Sequence, residues 1–216
     1  MKILILTGKF GNGHWSASQA LREQLSADGH EVQVVDLFGY AQPKLAPTMY
    51  WWFNVLVTCG GVFYNLYRDL TRNDSGDSRG DVLVDGLERL LDEYEPDVVV
   101  STHPVCSAAM ARYKIEEGSG IPLVTCVTDV TCHSEWIHPE TDCYMVAEES
   151  VRRGLADKGV DPDIVVASGI PVSGRFQPAR RDRSRRRELL IMGGGLGLMP
   201  RRDSFYQALN DLSGVH

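Results

Sequence analysis

Short, unbroken apolar runs alternate along this chain with longer segments whose apolar residues recur every three or four positions. Residues 2–6 (KILIL), 31–37 (EVQVVDL) and 96–101 (PDVVVS) are too short and too rich in β-branched side chains for helices, and are predicted to be strands. The same pattern predicts strands at residues 122–128, 143–147 and 163–167. Helices are predicted between them, at residues 16–27 with Ala17, Ala20, Leu21 and Leu25 on one face, and at 81–94 with Val84, Leu87, Leu90 and Leu91 on one face. Further helices are predicted at 105–116 and 148–158. Continuous apolar strands separated by helices imply a parallel sheet covered on both faces, so the fold class is α/β with a doubly wound, mostly parallel sheet. Ligands in such folds bind beyond the carboxyl ends of the strands. That rule directs attention to residues 7–14, 101–104, 128–138 and 168–176.

The pattern then breaks and restarts. Six arginines fall among residues 180–187, after which residues 188–192 (ELLIM) predict a new strand, 193–197 a glycine loop and 203–212 a helix. The expected organisation is one domain over residues 1–176, an arginine-rich linker over 177–187, and the first βα unit of an incomplete second domain over 188–216. The net charge of −7 hides a split: residues 179–216 carry a balance of +4 and residues 1–178 a balance of −11. An acidic body repels a phosphate backbone, so no nucleic-acid partner is expected. With 43% apolar and 24% charged residues over 216 positions, disorder, coiled-coil and collagen-like states are excluded. The five cysteines are an odd, scattered set that reads as reduced thiols of a cytoplasmic protein. The N-terminus enters its first strand with no small-residue cleavage site, so no signal peptide is expected.

Two strand-end segments carry candidate chemistry. The first, Gly8-Lys9-Phe10-Gly11-Asn12-Gly13-His14, leads straight into a helix. Gly11 and Gly13 let the backbone approach a ligand, and the helix start offers free amides and positive potential. That potential also favours neutral imidazole, which suits His14 as a general base. A capping or surface histidine is the competing reading. The glycine spacing departs from a dinucleotide fingerprint. In the second segment, residues 127–138, Asp129 is placed to orient a histidine or bind a hydroxyl, and Trp136 offers a flat apolar face. Cys126, Cys132, His133, His138 and Cys143 lack the paired spacing of a metal site, so no metal is expected. His103 and Cys106 read as a packed pair.

Residues 45–67 contain no charged side chain over twenty-three positions, and seven of the eighteen aromatics fall within 50–67. Pro47, Asn54, the Gly60-Gly61 pair and Asn65 argue against a membrane-spanning helix. Two short amphipathic helices fit better, with Trp51, Trp52, Phe53, Phe63 and Tyr64 available to a lipid interface. Burial of these aromatics in a core or a dimer surface is the alternative.

Taken in order, several segments resemble the monogalactosyldiacylglycerol synthase and processive diacylglycerol glucosyltransferase family. They are Gly11-Asn12-Gly13-His14 with Ser16-Ala17 and Ala20-Leu21; Asp36-Leu37; Pro96-Asp97 through Ser101-Thr102-His103-Pro104; Thr128-Asp129 with His133, Trp136 and His138; Asp142; and Gly169-Ile170-Pro171-Val172 with Phe176. The resemblance implies a GT-B glycosyltransferase built of two Rossmann-like domains, the first for the lipid acceptor and the second chiefly for a UDP-sugar. It implies an inverting, metal-independent transfer of galactose or glucose to diacylglycerol, by a protein bound peripherally at the inner face of the cell membrane. His14 would deprotonate the acceptor hydroxyl. Gly11, Gly13, Asp129, His133 and Trp136 would shape the acceptor side, and Gly193, Gly194 and Gly195 would lie against the donor diphosphate. No cofactor is expected beyond the UDP-sugar as co-substrate. Since the chain stops about one βα unit into the second domain, weak activity of this chain alone is expected. A non-catalytic membrane-binding module and a nucleotide-sugar 2-epimerase-like enzyme are the competing function classes.

Overall fold

The computed structural model describes residues 1–58, 78–176, 189–193, 199–200 and 202–212. Its centre is strand β1 (Lys2–Thr7), whose run KILILT is buried from Ile3 onward. Side chains alternate across a strand, so this run must meet apolar partners on both sides. Ile3 and Ile5 turn to one face with Val100 and Cys126, beneath Leu21 and Leu25 of helix α1 (Gly13–Ala27). Leu4 and Leu6 turn to the other face and join Leu87, Leu90 and Met110.

Strand β2 (Glu31–Asp36) pairs with β1 in parallel, with Thr7 opposite Asp36. Two helices follow, α2 (Leu37–Ala41) and α3 (Ala46–Thr58), and then α4 (Ser78–Tyr94). Leu83, Val84, Leu87, Leu90 and Leu91 of α4 are all buried, which is the predicted face. Gly86 lies where α4 meets α2: a Cβ there would come within 2.5 Å of the Ala41 Cβ, so the helices approach as closely as they do because the residue is glycine.

The chain returns through β3 (Val98–Ser101), α5 (Pro104–Glu117), β4 (Leu123–Cys126), β5 (Cys143–Val146), α6 (Glu149–Ala156) and β6 (Val165–Ala167). The six strands run parallel in the order β2-β1-β3-β4-β5-β6. This is the doubly wound α/β sheet that the pattern predicts. The order reverses at β1: the chain goes outward to β2, then crosses back to place β3 on the other side. The crevice between the carboxyl ends of β1 and β3 is therefore the topological switch point of the sheet.

Predicted and observed elements differ mainly at their ends. The predicted helix at 16–27 starts at Gly13, so Gly13 and His14 belong to its first turn. Leu37 leaves the second strand to open α2 because the Asp36 carboxylate caps that helix by accepting from the Gly39 N–H. Residues 189–193 form no strand, contrary to the pattern of 188–192. A strand needs a neighbour for its amides and carbonyls, and no strand among the described residues lies beside it. A helix, α7 (Asp203–Asn210), does follow. The linker 177–187, Gly194 and Gly195 lie outside the described residues, as do Phe63 and Tyr64.

Candidate functional site

The β1–α1 loop has to turn a strand end into a helix start within a few residues, and Gly11 makes this possible by taking φ +78°. Asn12 then sits at the N-cap without a side-chain cap bond, and the first turn of α1 holds no acidic residue. The turn delivers His14 over the crevice between β1 and β3.

His14 is held at one nitrogen. Its Nδ1 lies 2.8 Å from the carbonyl oxygen of Thr102, just past the end of β3, and 2.8 Å from the Thr128 hydroxyl, just past β4. A carbonyl can only accept, so Nδ1 carries the proton and donates it. The lone pair is then on Nε2, which has no partner among the described residues. Burial lowers the His14 pKa below its ordinary 6.5, opposed by the bond to Thr102 and by the negative charge of Asp129. The result is a neutral imidazole with a fixed tautomer and a free basic nitrogen.

Buried hydroxyls support this arrangement from below. The Thr102 hydroxyl donates to the Thr7 hydroxyl at 2.9 Å, and Ser101 Oγ donates to the His103 carbonyl at 2.9 Å. His103 and Cys106 are joined through the main chain, the Cys106 N–H donating to the His103 carbonyl at 3.0 Å, but their side chains have different partners. The Cys106 thiol donates to the Thr7 carbonyl at 3.4 Å, whereas the His103 ring packs against that of His14 with centroids 4.6 Å apart. The reason is that α5 starts at Pro104, so His103 is its N-cap and turns toward the strand ends.

Asp129 and Trp136 belong together. The Trp136 indole N–H donates to Asp129 Oδ2 at 2.8 Å, and the ring is only 1% exposed within the cluster around Tyr144, Val146 and Leu155. Trp136 therefore does not present an open face to a ligand, as its aromatic surface suggests; it borders His14 at 6.1 Å between centroids and holds Asp129 in place. His133 is exposed and bonds to the Thr131 hydroxyl, away from the hydrogen-bond network of His14. Gly13 has open space around it.

The aromatic stretch reaches the site from the other side. Phe10 packs edge-on against Phe38 at 4.8 Å, Tyr50 at 4.8 Å and Phe53 at 5.4 Å, and lies 5.7 Å from His103. The Tyr50 hydroxyl is tied to Asp36 Oδ1 at 2.5 Å, which fixes α3 to the end of β2. Phe53 thus faces inward, not toward a lipid interface, because it lies one turn beyond Tyr50 on the same face. Trp51 and Trp52 are 59% and 54% exposed, with Leu45 and Met49 exposed beside them. Among the described residues no helix is long and apolar enough to cross a membrane. No cluster of three His, Cys, Asp or Glu side chains among them is placed to hold a metal ion.

A second concavity, about 240 Å³, lies between α1 and the segment after β6, lined by Leu21, Gln24, Met145 and residues 168–172. Gly169, at φ +85°, turns the chain there.

Thr102, Thr128 and Asp36 lie in segments that carry the family resemblance, and Phe10 and Tyr50 in the glycine loop and the aromatic stretch, but residue type alone gives none of the five a role in the site. The available signal was positional, since all but Tyr50 lie at or just beyond a strand end.

The fold resembles that of the lipopolysaccharide outer core galactosyltransferase WaaB in its apo form, with a TM-score of 0.54 at 11% identity over 100% of this chain and 60% of that one. Curated relatives named processive diacylglycerol beta-glucosyltransferase, from Bacillus thuringiensis (strain Al Hakam) and Bacillus anthracis (strain A0248), are each 30% identical over 181 residues. These alignments cover 82% of this chain and 46% of each relative, so the chain spans about half the length of the curated relatives it matches. The sequence model of the monogalactosyldiacylglycerol (MGDG) synthase family matches residues 14–172, which begin at His14 and include five of the six strands, β2 to β6. By that match, the chain belongs to the monogalactosyldiacylglycerol synthase family.

Proposed function

We propose that this chain is the acceptor side of an inverting hexosyltransferase of glycolipid synthesis. It moves a sugar from UDP-glucose or UDP-galactose to diacylglycerol at a membrane surface. The observation that carries the reading is the state of His14: Nδ1–H committed to the Thr102 carbonyl and Nε2 left as a free base in the crevice. An acceptor hydroxyl donates to Nε2. As its oxygen bonds to the anomeric carbon of the sugar, its proton passes to Nε2, the bond from that carbon to the diphosphate oxygen breaks, and UDP leaves with the electron pair. Attack opposite the leaving group inverts the anomeric centre. The negative charge of Asp129 favours the imidazolium that forms.

The apolar acceptor fits what surrounds this base. Phe10, Phe38, Tyr50 and Phe53 connect the crevice with α3, whose Trp51 and Trp52 are exposed and suited to the interfacial layer of a bilayer. Attachment is peripheral, at the cytoplasmic face. Donor contacts fall to the second unit opened by residues 188–216, where the amides of Gly193, Gly194 and Gly195 would meet the diphosphate charge without a metal or organic cofactor. The half of the relatives that this chain does not cover would supply the rest, so transfer by this chain alone is slow.

The test measures transfer from radiolabelled UDP-glucose and UDP-galactose to dioleoylglycerol in vesicles, for the chain and for His14→Ala. Loss of the general base is expected to slow transfer by about 10²–10⁴. Equal rates for the two proteins would remove His14 from the chemistry, and fast turnover by this chain would remove the donor-side assignment.

A further inference from the structure

His103 has the second free imidazole nitrogen in the crevice. Its Nδ1 accepts the backbone N–H of Val105 at 3.3 Å and so caps α5. A nitrogen that accepts carries no proton, so in the neutral ring the proton is on Nε2. That N–H has no acceptor among the described residues. It is nevertheless not sealed in the core, because every fully buried side-chain nitrogen or oxygen among them has a partner. His103 is 7% exposed, and the Cδ2–Nε2 edge of its ring lies beside Gly8 of the β1–α1 loop. A Cβ on Gly8 would stand 3.2 Å from Cδ2 and 3.5 Å from Nε2 of His103, so glycine at this position leaves the Nε2 edge uncrowded.

The two rings form a complementary pair. They are 4.6 Å apart between centroids and inclined at 63°, close enough for both to address one small polar group. His14 offers a lone pair and His103 a proton. Phe10 and Phe38 close the apolar side of the His103 ring, at 5.7 and 6.0 Å. The matching ligand has a hydroxyl, an acceptor oxygen on a neighbouring carbon, and an apolar remainder.

We infer that His103 is an acceptor-binding residue whose Nε2–H donates to an ester carbonyl oxygen flanking the hydroxyl presented to His14. This rests on the acceptor reading above and adds to it a source of orientation. With the ester held, the free hydroxyl is directed at the His14 base rather than free to rotate past it. Burial keeps His103 neutral, with a pKa pushed down to about 3, and the neighbouring His14 acts in the same direction. Across physiological pH it stays a donor and never competes for the proton that His14 receives.

The experiment is an NMR titration of the chain with labelled histidines. Soluble 1,2-dihexanoylglycerol is expected to shift the side-chain signals of both His14 and His103. The diether 1,2-dihexylglycerol keeps the hydroxyl and the chains but lacks the carbonyls, and is expected to shift His14 alone. His103→Asn retains a good helix cap but does not reach the Nε2 position, so the melting temperature is expected to hold while affinity for the diester falls about 2- to 10-fold. The inference is overturned if the diester moves His14 but leaves His103 unmoved, if the diether moves His103 as strongly as the diester, or if His103→Asn binds the diester as tightly as the parent chain. A diester that moves neither histidine overturns the acceptor reading itself, and this inference with it.

Discussion

The base nitrogen of His14 is defined by a main-chain atom, the carbonyl oxygen of Thr102, 2.8 Å from Nδ1. No side-chain substitution at residue 102 removes that oxygen. The tautomer is therefore tied to the end of β3, and it holds for as long as the β1–β3 pairing holds. The Thr128 hydroxyl, also 2.8 Å from Nδ1, is the replaceable partner. Thr128→Val is expected to keep the Nδ1–H tautomer, read from the nitrogen shifts of the labelled ring, and to slow transfer about 2- to 10-fold by loosening the ring. Thr128→Ser is expected to restore the rate. A tautomer switch in the valine variant would show that the carbonyl does not define it.

The lowered pKa of His14 predicts the acid side of the pH profile. Only the neutral ring accepts a proton, and burial moves its titration below the ordinary 6.5. The acidic limb of kcat/KM is then expected below pH 6.5, with the rate flat from there through neutrality. Asp129 opposes the shift, so Asp129→Asn is expected to move that limb to still lower pH. A limb above pH 6.5 would assign it to another group.

His103 makes a separate contribution to stability. Its folded-state pKa, about 3, lies below the unfolded value near 6.5. The unfolded chain binds the proton first, so stability is complete above pH 6.5 and declines as pH falls toward about 3. One proton corresponds to a slope of about 1.4 kcal/mol per pH unit within that window. Urea unfolding between pH 4 and 7 is expected to show a shallower decline for His103→Asn than for the parent chain. Parallel curves would exclude His103 as a source of the slope.

Much of this could be read from residue type and spacing, and the exceptions share a cause. The run KILILT had to be buried on both faces, and the loop ending in His14 had to cover a strand end, so the sheet and its principal histidine were legible. The Thr102 carbonyl was not, because a backbone acceptor has no side-chain signature. His103 and Cys106, three apart, look like neighbours on one helix face. The proline between them starts the helix at 104 and places His103 outside it. Within residues 45–58 almost every position is apolar, so there is no polar face from which to tell inside from outside. Trp136 was legible as an important aromatic, but not as a buried one.

That burial gives Trp136 a measurable role. Its indole N–H is bonded to Asp129 at 2.8 Å and its ring is buried in the cluster under α6. Trp136→Phe removes the donor and leaves unfilled volume, and is expected to cost about 1–3 kcal/mol in unfolding free energy. Asp129 is also released, so the His14 titration should shift in the same variant. A destabilised protein with an unchanged His14 titration would show that Trp136 packs the core without positioning Asp129.

Helix α3 has two apolar faces with different duties, and substitution separates them. Ala46, Tyr50 and Phe53 face the body of the protein, with Phe53 against Phe10 at 5.4 Å. Leu45, Met49, Trp51 and Trp52 are exposed, the two tryptophan rings meeting edge-on at 5.0 Å. A tryptophan moved from water into an apolar layer gains on the order of 1.5–3 kcal/mol when fully buried, so partial insertion of two is worth about tenfold or more in vesicle binding. Trp51→Ser combined with Trp52→Ser is expected to lower co-sedimentation with dioleoylglycerol-containing vesicles by at least about tenfold while leaving the melting temperature unchanged. Phe53→Ser should do the reverse: it removes packing beneath the helix, costing about 2–4 kcal/mol of stability, and leaves the exposed tryptophans in place. Undiminished vesicle binding by the double tryptophan variant would dismiss α3 as the membrane contact.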